Sequence, residues 1–163
     1  MPVILSIVGK SGSGKTTLIE KLIAELKRRG LRIGTVKHSA HTIEMDKPGK
    51  DSWRHKQAGA DTVMVVAPQT VAMIKSMPAP RLEDLEKYFE DVDLVLTEGF
   101  KSGAMPKIEV FRQAVHARPL CTGDSRLMAL VTDAAIDPGV PTFGLNDIAR
   151  IADLIAVRCG AAR

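Results

Sequence analysis

Gly9-Lys10-Ser11-Gly12-Ser13-Gly14-Lys15-Thr16 brings together residue types that can grip a polyphosphate. Its spacing matches G-x-x-x-x-G-K-[ST] in full, with an apolar run before it and an amphipathic run after it. The glycines let backbone N–H groups turn inward and form a concave anion nest. A helix starting near Lys15 adds the positive end of its dipole. Lys15 is then placed to reach β- and γ-phosphates, the Thr16 hydroxyl to ligate Mg²⁺, and Thr17 to hydrogen-bond an α-phosphate. A bland Gly/Ser turn would need neither the lysine nor the threonine.

Such a site wants a second acid at the end of a neighbouring buried strand. Asp93-Leu94-Val95-Leu96-Thr97-Glu98-Gly99 supplies Glu98 where the strand emerges, for magnesium or for orienting water. Open α/β sheets place ligands at that end of their strands, so Asp93, at the other end, reads as a surface residue. The polar stretch 38–51, with its Pro48-Gly49 turn signal, reads as a functional loop. Lys37, His38, Lys47 and Lys50 could meet a phosphate there, and Asp46 or Asp51 a water near magnesium. A solvated loop ending in a helix cap at Asp51 is the competing reading. His41 and His55 read as solvent-facing, since no His/Cys cluster has metal-ligand spacing.

The elements that must position these residues follow from periodicity. Val3–Val8 reads as a buried parallel strand, residues 15–29 as an amphipathic helix closed by Gly30, and residues 33–36 as the next strand. That order implies a right-handed crossover and a parallel pair. Asp51 or Ser52 would cap a short helix running to Ala58. Residues 62–66 and 71–76 suggest a β-hairpin. Residues 80–89 read as an amphipathic helix with Leu82, Leu85 and Phe89 inward. Residues 92–97 read as a buried strand and 107–111 as an edge strand. Residues 127–131 and 140–145 read as further strands, before a final helix capped by Asn146. The expected fold is a single α/β domain over residues 1–163: a three-layer P-loop NTPase domain with a mostly parallel sheet and an appended β-hairpin.

Composition agrees with a nucleotide more than with a nucleic acid. The 163 residues are 45% apolar and 26% charged, an ordinary globular balance. Residues 1–60 carry 12 Lys/Arg against 5 Asp/Glu, and the rest 11 against 14, so the positive excess surrounds the glycine-rich loop. That placement suits a small polyanion. Aromatics are only 4% and no arginine stripe appears, which argues against nucleic acid. No apolar run is long enough to span a bilayer, and Met1-Pro2-Val3-Ile4-Leu5 lacks the basic region of a secretory signal. A soluble cytoplasmic protein without membrane partners is expected. Cys121 and Cys159 lie far apart and read as reduced thiols.

Several segments beyond the loop resemble the molybdopterin-guanine dinucleotide biosynthesis protein B (MobB) family. They are Val36-Lys37-His38, Asp46-Lys47-Pro48-Gly49-Lys50-Asp51-Ser52, Gln57-Ala58-Gly59-Ala60, Glu98-Gly99-Phe100-Lys101, Lys107-Ile108-Glu109-Val110-Phe111-Arg112 and Thr132-Asp133. The resemblance spans almost the whole chain. It implies a homodimeric protein that binds GTP with Mg²⁺, hydrolyses it slowly, and assists the guanylyltransferase that attaches GMP to molybdopterin. It implies other molybdenum cofactor proteins as partners too. Lys10 resembles the extra lysine of loops that reach a neighbouring subunit's phosphate; otherwise it adds general positive potential. The N-K-x-D guanine signature is absent, which leaves Asp133 as candidate acceptor for guanine N1 and N2, or as a turn cap. Pterin phosphate is a candidate second ligand for the 38–52 loop.

A P-loop small-molecule kinase is the alternative. It would need an arginine-bearing lid, for which Arg112, Arg118 and Arg126 are available, and an acceptor site, which nothing in the chain specifies. A non-catalytic interaction domain with a vestigial loop fits poorly with an intact Gly-Lys-Thr.

Overall fold

The computed structural model describes residues 2–39, 41–101 and 103–160. In chain order the elements are β1 (Val3–Val8), α1 (Lys15–Arg28), β2 (Ile33–Lys37), α2 (Asp51–Gln57), β3 (Thr62–Ala67) and β4 (Thr70–Lys75). A 3-10 helix (Leu82–Tyr88), β5 (Leu94–Glu98), β6 (Lys107–Phe111), β7 (Leu127–Thr132), β8 (Thr142–Phe143) and α3 (Ile148–Arg158) follow. The chain divides into two compact units, Met1–His38 with Glu86–Arg163, and Ser39–Leu85.

The larger unit holds a six-stranded, wholly parallel sheet in the order β2-β5-β1-β6-β7-β8. Parallel strands need crossovers, and α1 provides the first of them. Side chains alternate across each strand. Leu5, Ile7, Leu94, Leu96, Ile108, Val110, Ala129 and Val131 therefore share one face, where they pack with Leu18, Leu22 and Leu26 of α1 and Ile151 and Ile155 of α3. Burying each leucine, isoleucine or valine among them contributes about 1.5–3 kcal/mol. Gly30, at φ 88, ends α1 as its sequence suggests. At the amino-terminal ends of β2 and β5, Arg32 pairs with Asp93 at 2.7 Å, and that guanidinium holds the Asp93 carboxyl down at about 2. Asp93 is thus a surface ion-pair residue.

The alternation in residues 107–111 suggests an edge strand, but β6 lies between β1 and β7 with all five residues buried. Its two charges are satisfied internally. Lys107 Nζ donates to Lys101 O at 2.9 Å and to Asp124 Oδ2 at 3.0 Å. Glu109 accepts from the Leu120 and Cys121 backbone N–H groups at 2.6 and 2.8 Å. Buried charge is tolerated when paired and hydrogen-bonded, so these residues anchor the irregular segment 112–126 to the sheet.

Three helices also differ from expectation. Asp147, not Asn146, precedes the first turn of α3, and neither side chain caps it. Asn146 Oδ1 instead accepts from Lys21 Nζ at 2.9 Å. Asp51 is the first residue of α2, after a backbone cap at Lys50. Residues 82–88 wind as a 3-10 helix, because Leu82 and Leu85 repeat at the three-residue period that this tighter helix favours.

The unit Ser39–Leu85 contains α2, packed on β3, and the hairpin. Ala67 pairs with Thr70 across the Pro68-Gln69 turn, so the register runs through to Thr62 opposite Lys75. Among the described residues both cysteines are free; burial pushes the Cys121 thiol up to about 11.

Candidate functional site

β1 delivers the chain to Gly9 at the carboxyl end of the sheet. Gly9 sits at φ +145, where an added Cβ would lie 2.4 Å from Val110 O and 2.7 Å from Ser13 Oγ. Only glycine can pass β6 that closely. Gly14 takes the left-handed cap position of α1 at φ 96. No side chain caps this terminus, and its first turn carries no acid. The first backbone N–H groups and the positive dipole end are left facing outward, the arrangement that receives an anion. Ser13 is completely buried and its Oγ has no hydrogen-bond partner. An unpaired buried hydroxyl costs about 1–3 kcal/mol, a cost that an incoming acceptor would remove.

Lys15 Nζ folds back onto Lys10 O at 2.8 Å, and His116 Nε2 donates to Ser11 O at 2.8 Å. The loop backbone is thereby braced on both sides of its crest. Burial pushes the Lys15 ammonium below its usual range; Glu98 opposes that, while Lys101 and Lys37 reinforce it. A polyphosphate would supply the missing countercharge.

Parallel register brings the second acid to the loop. Glu98 stands level with Ile7 of β1 and Lys37 of β2. Its Oε2 accepts from the Thr16 hydroxyl at 3.1 Å, and its Oε1 lies 3.7 Å from Lys37 Nζ. The Thr16 and Glu98 oxygens can hold a divalent cation that phosphate oxygens complete. Among the described residues no three His, Cys, Asp or Glu side chains form a metal cluster without such a partner. Next along the chain, Gly99 at φ 105 turns the backbone past His38, whose Cβ would lie 3.0 Å from a Cβ placed there. Phe100 follows at φ 49, with its ring centroid 4.9 Å from that of His38. A non-glycine residue in the left-handed region is strained, and such strain collects at working sites.

A cavity of about 210 Å³ adjoins the loop, lined among others by Ser13, Thr17, Lys21, Arg112 and Asn146. Asp133 stands behind Arg112: its Oδ1 accepts from Gln113 N at 3.0 Å and its Oδ2 lies 3.3 Å from Arg112 Nε. The Gln113 N–H, followed by Arg112, holds its carboxyl below the usual carboxylate range. The structure therefore gathers residues 9–17, Lys37, His38 and Glu98 at one end of the sheet, with Asp133 bound to a cavity residue. Asp46 belongs to the other unit, where its Oδ1 accepts from Lys47 N at 2.8 Å. Sequence reasoning missed Lys21, Asn146 and His116. Thr17 and Lys21 are four apart on one helix face, a usable signal. His116 reaches the loop from 105 residues away, and no local pattern reveals it.

A family model described as molybdopterin guanine dinucleotide synthesis protein B matches residues 4–133. The chain belongs to this family. It is 42% identical over 155 residues to the molybdopterin-guanine dinucleotide biosynthesis adapter protein of Haemophilus influenzae, covering 93% of this chain and 86% of that one. The Escherichia coli adapter protein of the same name is 36% identical over 160 residues, covering 93% and 90%. A crystal structure of molybdopterin-guanine biosynthesis protein B superposes with a TM-score of 0.76 at 34% identity, covering 96% of this chain and 99% of that one. The Bacillus subtilis MobB structure gives 0.75 at 26% identity, covering 97% and 98%. The resemblance in D-x-P-G-K-D-S and E-G-F-K thus marks true family membership, and the mostly parallel α/β P-loop fold is the family's own. Among the described residues no helix is long and apolar enough to cross a membrane.

Proposed function

We propose that this chain is a GTP-binding adapter in molybdenum cofactor biosynthesis, assisting the guanylyltransferase that forms molybdopterin guanine dinucleotide. Family membership supports the pathway, since the Haemophilus and Escherichia relatives carry that adapter's name. The observation that carries nucleotide binding is the uncapped start of α1 beneath Gly9, with Lys15, Thr16 and Glu98 already converged on it. In this reading residues 9–14 cradle the phosphates, Lys15 turns from Lys10 O to the β- and γ-phosphates, and Thr17 meets the α-phosphate. Thr16 and Glu98 would hold Mg²⁺, which supplies charge neutralisation between the phosphates. Lys37 and His38 flank the γ-phosphate end, and Lys10 adds potential or reaches a second subunit. The guanine would enter the cavity beside Arg112, with Asp133 acting on it directly or through Arg112.

In this reading the site serves as a switch with slow turnover. Of the three arginines a kinase lid would draw on, Arg112 is engaged by Asp133 and Arg126 by Asp124, while Arg118 is exposed, so the lid would rest on Arg118. A homodimer is supported by the hairpin, whose Met64, Val65, Val66 and Val71 leave apolar surface in water. The cytoplasm is the compartment such a role requires.

Titration of fluorescent GTP and ATP analogues with Mg²⁺ tests this reading. GTP should bind at least about tenfold more tightly, and Lys15→Ala should cost about 100-fold, roughly 2.7 kcal/mol. Equal affinities would remove guanine selection, and full binding by Lys15→Ala would remove the site.

A further inference from the structure

The irregular stretch that follows β6, residues 112–121, reaches the crest of the glycine-rich loop at two adjacent places. His116 Nε2 lies 2.8 Å from Ser11 O. A Cβ built on Gly12 would lie 3.6 Å from Val115 Cγ1, so that valine sits against the next residue of the crest.

This strap is pinned on both sides of His116. At its start the Val115 and His116 N–H groups both donate to Arg112 O at 3.0 Å, and Gln113 N donates to Asp133 Oδ1 at 3.0 Å. At its end the Leu120 and Cys121 N–H groups donate to the two Glu109 oxygens at 2.6 and 2.8 Å. Glu109 is only 1% exposed, and a carboxylate taken so far out of water is costly unless it is well hydrogen-bonded. A buried acid committed to two main-chain N–H groups holds the strap in one conformation.

We propose, on the reading that residues 9–16 hold phosphate, that His116 is a positioning residue: it fixes the Ser11–Gly12 peptide so that the Gly12 N–H faces the anion. A carbonyl oxygen only accepts, so His116 Nε2 carries the proton. The peptide unit is trans and planar, and its C=O and N–H therefore point opposite ways. Drawing Ser11 O out to the strap turns the Gly12 N–H away from it. Gly12 at φ 75 and Gly14 at φ 96 supply the left-handed positions that gather successive N–H groups into a concave nest. Turned the other way, this peptide would present a carbonyl oxygen to the phosphate and repel it.

The preceding carbonyl, Lys10 O, is taken within the loop by Lys15 Nζ at 2.8 Å and Ser13 N at 3.4 Å. Ser11 O is held instead from 105 residues away. Water could satisfy that oxygen equally well, but water fixes no direction. A ring on a pinned strap does, and a loop already set for its ligand loses less freedom on binding it.

The test is calorimetric titration of the full chain with GTP and with ATP, each with magnesium, in wild type, His116→Phe, His116→Ala and His116→Gln. Phenylalanine keeps a ring without the donor, and glutamine keeps an N–H without the ring. His116→Phe and His116→Ala should each lose about tenfold in affinity for both nucleotides, the worth of one hydrogen bond. His116→Gln should recover most of that loss, and all three should melt near the wild-type temperature. In amide NMR spectra the Gly12 resonance should move on adding GTP to wild type and His116→Gln, and much less in His116→Phe. Unchanged affinity in folded His116→Phe and His116→Ala, or an equal loss in His116→Gln, would overturn the proposal. So would a loss for one nucleotide alone, which would assign His116 to the cavity beside Arg112. Failure of the wild type to bind either nucleotide would overturn the phosphate reading itself, and the role of His116 with it.

Discussion

At the scale of single residues, the candidate site leaves polar groups unfinished. Ser13 Oγ is buried without a partner, Lys15 borrows the Lys10 carbonyl, and Thr16 borrows Glu98. In the proposed reading each of these groups exchanges its present contact for phosphate or metal. Glu98 then has a separable role. Glu98→Gln should reduce the magnesium-dependent gain in GTP affinity by about tenfold or more, while leaving magnesium-free binding unweakened. Titrations with and without the metal read the two terms separately; a loss of equal size in both would show that Glu98 positions the loop and does not serve the cation. Most of these residues were legible because the motif is contiguous. Glu98 was legible because strand ends collect ligands in parallel sheets. His116 and Asn146 were not, since their roles arise from contacts across more than a hundred residues.

At the scale of elements, β6 shows how a buried strand can carry charge. Lys107 is fully buried and reaches Asp124, which also binds Arg126 at 2.8 Å. Removing the two partners should therefore have unequal effects. Lys107→Met leaves Asp124 with Arg126 and should cost about 2 kcal/mol. Asp124→Asn strands the buried ammonium and should lower the denaturation midpoint further. Chemical denaturation of both variants checks the order, and the reverse order would mean that the Lys101 and Gly103 carbonyls hold the ammonium without Asp124. Alternating polarity normally signals one wet face, so β6 read as an edge strand. Whether a Lys or Glu meets water or a partner is decided by segments far away in sequence, here residues 101–103 and 120–124. The 3-10 helix and the missing side-chain caps of α2 and α3 have a similar origin. Local patterns propose a helix start, while neighbours such as Lys21 recruit the side chain elsewhere.

At the scale of the whole molecule, the hairpin is the feature most at odds with a solitary chain. Val66 is 72% exposed and Val71 62% exposed, and the two face one another in the β3–β4 register. Paired β-branched side chains left in water are apolar surface awaiting a partner. Val66→Glu with Val71→Glu should shift the protein to a monomer in light scattering while its melting behaviour stays that of a folded domain. An unchanged dimer would place the interface elsewhere, and a monomeric wild type would remove it.

The sequence by itself determined the glycine-rich loop between β1 and α1, the order of strands and helices, the hairpin and its turn, and the family. These depend on local spacing, on glycine geometry and on hydrophobic periods, all of which are written within a few consecutive residues. Only the tertiary structure decided that β6 is central, that Asp133 is committed to Arg112 and Gln113, and that His116 braces the loop. Those facts concern which groups meet across the fold. Burial and hydrogen-bond satisfaction belong to the folded chain as a whole, and no short window of residues contains them.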